Sequence, residues 1–151
     1  MRTGVRLGLD WGRARIGVAR CDPAATLAVP VTTVPADRDS YARVAELVAE
    51  HEAVEVVLGL PIALDGTEGP AAQDVRRHAV RLADRLPVDV RLVDERLSTV
   101  TASRGLRERG RDARRQRSVI DQAAAVEILE RALDAERRTG RAPGELVARS
   151  R

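Results

Sequence analysis

Residues Val54 to Leu60 form a nearly unbroken apolar run. A strand that is apolar on both faces has to be covered on both sides, which points to a parallel sheet with helices packed against it. Pro61 ends the run, and Asp65-Gly66-Thr67-Glu68-Gly69 is a turn-rich loop. Pro70 then opens a helix with Ala72, Val75, Ala79, Leu82 and Leu86 on one face, and Pro87 stops it before a second strand, Val88 to Asp94. Two strands joined by a helical crossover run parallel. Upstream, Val5-Leu7-Leu9 alternate with Arg6-Gly8-Asp10 as in a half-buried strand, and Arg15 to Ala19 completes a hairpin. Leu27 to Val34, broken by Pro30, reads as an edge strand. Asp39 or Ser40 caps a helix with Val44, Leu47, Val48 and His51 inward. Downstream come a short helix from about Thr99 to Leu106, an arginine-rich segment, and a helix from about Ser118 to Arg138 that Gly140 ends. The order predicts one α/β domain over residues 1–139, a mixed five-stranded sheet flanked by helices, with 140–151 a flexible tail.

The composition narrows the chemistry. At 151 residues the chain suits one domain. All 26 basic residues are arginine, so Walker A loops, Schiff-base enzymes and lysine general bases are excluded. A lone Cys21 permits no internal disulfide and suits the cytoplasm. No apolar run reaches the roughly 18 residues that span a bilayer, so no membrane partner is expected. With no Phe, one Trp and one Tyr, stacking platforms for single-stranded bases are nearly absent. Nucleic-acid binding would then rest on phosphate contacts and shape. The stretch Arg104 to Arg117 holds seven arginines against Glu108 and Asp112, net +5 in a chain of net +3. It reads either as a solvated face or as a lip that grips phosphates.

Three carboxylates occupy positions that a soluble domain would normally keep apolar. Asp10 ends a strand, Asp94-Glu95 end another, and Asp121 begins a helical stripe with Ala124, Ala125, Ile128, Leu129 and Ala132. A buried charge is costly unless it is paired or coordinated, so three such acids point to a shared cation. Each also has a structural reading. Asp10 could start the turn with an Asx bond. One of Asp94 and Glu95 could pair with Arg96 or cap the next helix, since neighbours face opposite sides of a strand. Asp121 could complete a capping box with Ser118. The longer Glu95 is the choice for the metal. Asp10, Glu95 and Asp121 would make an all-oxygen site for Mg²⁺ or Mn²⁺. Such ions activate water and stabilise the leaving oxygen of an in-line phosphoryl displacement, so the acids predict a metal-dependent phosphodiesterase. His51, His78 and Cys21 lack zinc-ligand spacing.

The segment Gly8-Leu9-Asp10-Trp11-Gly12-Arg13-Ala14-Arg15-Ile16-Gly17-Val18-Ala19 resembles the opening motif of the YqgF (RuvX-like) family. Gly59-Leu60-Pro61 with Asp65-Gly66-Thr67-Glu68, then Asp94-Glu95-Arg96-Leu97-Ser98-Thr99, and Asp121 with Ala124, Ala125, Ile128 and Leu129 resemble its later motifs, in order. The resemblance implies a ribonuclease-H-like fold related to Holliday-junction resolvases. It also implies a bacterial cytoplasmic nuclease that matures the 5′ end of 16S ribosomal RNA precursor. Carried across, the family's acids fall on Asp10, Glu95 and Asp121, and its arginine on Arg15. The position before that arginine, often basic in the family, is Ala14 here. The end of the Val54–Leu60 strand carries no acid, unlike many ribonuclease-H-like nucleases, so the second ligand must come from Asp94 or Glu95.

The expected partner is therefore nucleic acid, structured RNA or branched DNA, and with it the pre-ribosomal subunit. Arg15, Arg96, Arg114, Arg115 and Arg117 are the candidate phosphate contacts. Junction resolution is the alternative substrate, and it would need a dimer with two sites. A non-catalytic nucleic-acid-binding or ribosome-assembly module is the alternative of another class. Sugar kinases and actin-like ATPases also place an Asp-x-Gly turn after a strand, but they need two such domains, and 151 residues leave no room.

Overall fold

The computed structural model describes residues 1–95 and 113–149, with side chains throughout except at 113–118. Strands β1 (Arg6–Trp11), β2 (Arg15–Cys21) and β3 (Ala28–Pro35) form an antiparallel meander. Helix α1 (Ser40–Glu50) leads to β4 (Glu55–Leu60), which pairs parallel to β1. Helix α2 (Pro70–Arg85) leads to β5 (Asp89–Asp94), parallel to β4. Helix α3 spans Ala113–Thr139, and β6 (Glu145–Leu146) runs antiparallel to β5. The sheet order is β3-β2-β1-β4-β5-β6. β3 is an edge strand as expected, and Pro30 sits where the β2–β3 register shifts at Val18/Ala19. Within a sheet, proline is confined to such edge strands and bulges.

The strands divide their side chains between two layers. Leu7, Leu9, Trp11, Val56, Leu58, Val90 and Leu92 share one core with Val44, Leu47 and Val48 of α1 and Val75, Ala79 and Leu82 of α2. On the other face, Ala19 and Cys21 meet Ala125, Leu129 and Leu133 of α3, while Val57 and Val93 meet Ile128 and Ala132. α3 therefore covers the side of β1 that carries Arg6, Gly8 and Asp10. All six residues of β1 are buried, although its alternation suggests a half-buried strand.

Glycines and alanines let α3 lie directly on the sheet. A Cβ at Gly8 would come within 2.8 Å of the Ala125 carbonyl oxygen, and one at Gly17 would collide with the Asp121 carbonyl oxygen. A glycine inside a strand commonly marks such close backbone approach. Because the obstacle at Gly17 is backbone, Gly17→Ala is expected to cost about 1–3 kcal/mol, as overpacking of a tight core does. Chemical denaturation would measure it. Wild-type stability in the variant would mean that α3 lifts freely.

Three features differ from the sequence reading. The sheet has six strands instead of five. The stretch from 140 onward, expected to fray, returns along β5: Val147 is buried and its N–H donates to the Val90 carbonyl at 2.9 Å. Arg149 donates to the carbonyls of Ala83 and Val88. The returning segment covers what would otherwise be an open sheet edge at β5. Gly140, at φ 69° with its N–H on the Glu136 carbonyl, ends α3 as expected and turns the chain back. Finally, α3 begins at Ala113, about a turn before Ser118. Ala, Arg and Gln are strong helix formers, so nothing in 113–117 stops the helix. Ser118 is inside the helix, so it cannot cap it, and Asp121 is no capping-box partner. The expected helix at 99–106 and most of the arginine-rich segment lie outside the described residues.

At the opposite end of the strands, the α3 face holds an ion cluster. Arg6 and Glu55 are register partners on β1 and β4, and both are almost fully buried. Glu55 accepts from Arg2 at 3.1 Å and from Arg91 at 2.9 Å. Glu136 of α3 accepts from Arg2 at 2.6 Å and from Arg6 at 3.1 Å. Burial alone would push the Glu136 carboxyl up, but the Arg2 hydrogen bonds and the Arg6 charge hold it below its ordinary range.

Candidate active site

Asp10 pairs in register with Gly17 of β2, and Gly59 of β4 follows the Leu9–Leu58 pair by one residue on each strand. Gly17, Asp10 and Gly59 thus form a row across three neighbouring strands, near the carboxyl ends of β1 and β4. Strands in a sheet lie about 4.8 Å apart, so the row is short. The glycine on one side makes room for Asp121, whose backbone carbonyl rests against Gly17. The glycine on the other side makes room for Glu95: a Cβ at 59 would run into Glu95 Oε2 and lie 2.5 Å from Ile128 Cδ1. Two glycines flank one aspartate and seat two further acids beside it.

The two acids at the end of β5 face opposite sides of the sheet. Glu95 continues the Arg91–Val93 side, facing α3, and its N–H donates to the Leu60 carbonyl at 3.2 Å. Asp94 belongs to the Val90–Leu92 side and is exposed. The Glu95 carboxylate reaches over Gly59, near the end of β4, where that strand carries no acid of its own. The glycines were the signal for it, since a strand-terminal Gly beside a strand-terminal Asp implies something lying on top.

Asp10 and Asp121 are each only 5% exposed, so both charges are withdrawn from water. Arg15 of β2 donates to Asp121 Oδ2 at 2.8 Å and fixes that carboxylate. Gln122, the next residue of α3, donates to the Thr33 hydroxyl at 3.0 Å and ties the helix to β3. Asp10 and Glu95 line one cleft of about 470 Å³ together with Gly59, Pro61, Arg13 and Asp74. Asp121 is not part of that lining. Among the described residues, no three His, Cys, Asp or Glu side chains stand close enough to hold one metal ion as they are. The structure therefore brings Asp10 and Glu95 to one cleft and sets Asp121 of α3 against the adjoining strand β2, bound to Arg15. The donor chemistry fits a hard divalent cation, being carboxylate oxygen with no competing imidazole or thiolate. Arg96 lies outside the described residues, as do the side chains of Arg114, Arg115 and Arg117.

A family model described as "RuvX: Holliday junction resolvase" matches residues 4–135. The chain belongs to the RuvX family. A RuvX relative from Streptomyces coelicolor is 59% identical over 151 residues, covering 97% of this chain and 90% of its own length. One from Nocardioides is 56% identical over 153 residues, covering 97% and 98%. Both are described as candidate pre-16S rRNA nucleases. Among solved structures, Thermus thermophilus RuvC in complex with Holliday junction substrate superposes with a TM-score of 0.56 at 16% identity. The match covers 93% of this chain and 98% of that one. At that identity the likeness shows the fold, and the RuvX sheet with its meander and two parallel strands is the RuvC-type, ribonuclease-H-like architecture. No helix among the described residues is long and apolar enough to cross a membrane.

Proposed function

We propose that this RuvX protein is a cytoplasmic, divalent-metal-dependent endonuclease acting on structured RNA, with 5′-end maturation of the 16S rRNA precursor as its reaction. The observation that carries the reading is the row in which Gly17 and Gly59 seat Asp121 and Glu95 on either side of Asp10. Buried carboxylates are costly unless paired or coordinated, and a divalent cation would add to the pairing that Arg15 gives Asp121. The precursor rRNA as substrate rests on the descriptions of relatives above 50% identity that span nearly the whole chain.

Asp10, Glu95 and Asp121 would hold Mg²⁺ or Mn²⁺. When bound, such an ion supplies Lewis-acid charge stabilisation and activates water for in-line attack. The chain's own groups do the rest. Asp10 is fixed by its place within the sheet, Asp121 by Arg15, and Glu95 by the backbone bond to Leu60. Rigid placement of this kind is what converts proximity into rate. Arg15, Arg96 and the arginines at 114, 115 and 117 orient phosphates, and the pre-ribosomal subunit is the partner that presents the RNA.

The test is cleavage of 16S precursor RNA and of a four-way DNA junction, each with Mg²⁺, with Mn²⁺ and with chelator. Ion-dependent cutting of the RNA alone is expected. Cutting of the junction alone would reassign the protein to resolution. Binding without cutting of either substrate would make it a non-catalytic assembly module.

A further inference from the structure

The chain has one Trp, one Tyr, two His and no Phe, and three of those four rings meet at one place. Trp11 of β1 stacks on His78 of α2 at 4.6 Å between centroids, and on Tyr41 of α1 at 5.6 Å. The Tyr41 hydroxyl and His78 Nδ1 are hydrogen-bonded at 2.6 Å. Burial, followed by the nearby Arg81 and Arg77, holds the His78 imidazole below its ordinary pKa against the opposing pull of Asp74. The neutral ring is favoured, and its Nδ1 shares this hydrogen bond with the tyrosine hydroxyl. Trp11 is buried and anchors the stack, while Tyr41 and His78 are half-exposed.

These rings border a second cleft of about 390 Å³, lined also by Arg13, Arg38 and Arg81. It shares Trp11, Gly12, Arg13 and Asp74 with the cleft of Asp10 and Glu95, so the two are continuous. Arg13, Arg38 and Arg81 are exposed, and Arg85 sits over the Tyr41 ring at 5.8 Å. One end of this groove is acidic and the other combines arginines with half-exposed rings. Rings for bases beside arginines for phosphates form the general platform for single-stranded nucleic acid.

We propose that the single strand flanking the cleaved bond runs from the acid cleft past Arg13 into this second cleft. There Arg38 and Arg81 hold its phosphates, and a base packs against the Tyr41–His78 edge. The proposal rests on the nuclease reading and adds a substrate requirement: the preferred substrate carries an unpaired strand beside the scissile position. The few aromatics of the chain are gathered at this one place by α1, α2 and β1.

The test measures binding with divalent ions chelated, so that nothing is cut. An RNA duplex bearing a tail of about five unpaired nucleotides is compared with the same duplex without it. The wild type is expected to bind the tailed RNA about tenfold more tightly, the effect of a single stacked base with its phosphates. Arg38→Ala/Arg81→Ala, which changes two exposed side chains and is expected to melt with the wild type, should bring the two affinities together. Equal affinity of the wild type for both RNAs would overturn the proposal. So would an undiminished tail preference in the double variant. Cleavage is scored separately with Mg²⁺: a tail preference without cleavage would overturn the nuclease reading and leave the strand track standing, and cleavage without a tail preference would do the reverse.

Discussion

Asp10→Asn is expected to lower Mg²⁺-dependent cleavage about a thousand-fold, the several kcal/mol of charge stabilisation that a lost ion would withdraw. Asparagine keeps the shape of the side chain and removes the charge that a hard cation needs. Asp10 lies in the sheet row beside Glu95 and the Arg15-paired Asp121, so the substitution removes negative charge from the acid cleft. A metal-binding role predicts a metal-free melting temperature close to that of the wild type. In the wild type, added Mg²⁺ should raise the melting temperature by mass action, and the variant should lose that response. Loss of cleavage together with a lower metal-free melting temperature would instead mark Asp10 as a structural acid. Gly59→Ala gives a complementary readout. Its Cβ would meet only the far ends of Glu95 and Ile128, both able to move, so the fold should survive. The Glu95 carboxylate would be displaced, with an expected loss of about 10–100-fold in activity, the size seen when a ligand's support is disturbed. Unchanged cleavage in Gly59→Ala would remove Glu95 from the site.

The sequence made β1 to β5, α1 and α2 legible because each carries a complete period of apolar residues between turn or proline signals. Leu7, Leu9 and Val44, Leu47, Val48 lie in the core where their spacing places them. His51, expected to face inward, is half-buried at the end of α1, where the helical period no longer constrains it. β6 was not legible, because Glu145 and Leu146 are both exposed and two residues cannot show a period. The acids could be named from their awkward positions, but their relation could not. It depends on register: Asp10 opposite Gly17, and Gly59 one step beyond the Leu9–Leu58 pair. Single-residue register is set by pairing in three dimensions, and a one-residue slip would turn every acid to the other face. The ring cluster was hidden for a similar reason, since Trp11, Tyr41 and His78 come from three separate elements.

Glu136→Ala is expected to destabilise the protein by about 3–5 kcal/mol, the cost of stripping one partner from a buried ion pair. The decisive contact is Arg6–Glu136, whose side chains are 1% and 2% exposed. The Arg2–Glu136 contact contributes less, because Arg2 is 46% exposed and solvent screens it. Among the described residues, Arg6 Nε and Nη1 have no hydrogen-bond partners. Without Glu136, the one acceptor left to its guanidinium among the described residues is the neutral Arg2 carbonyl at 2.8 Å. Glu136→Gln keeps an acceptor and should cost less than the alanine. The sign of the pH dependence follows from the depressed carboxyl. Its folded-state pKa lies below the unfolded value, so the stabilisation is complete above the unfolded value and fades as pH falls through the folded one. Wild-type stability should then drop on acidification below about pH 4.5 more steeply than that of Glu136→Gln. Urea denaturation at neutral and acid pH measures both effects. A loss below about 1 kcal/mol in Glu136→Ala would mean that Arg6 finds water or another partner.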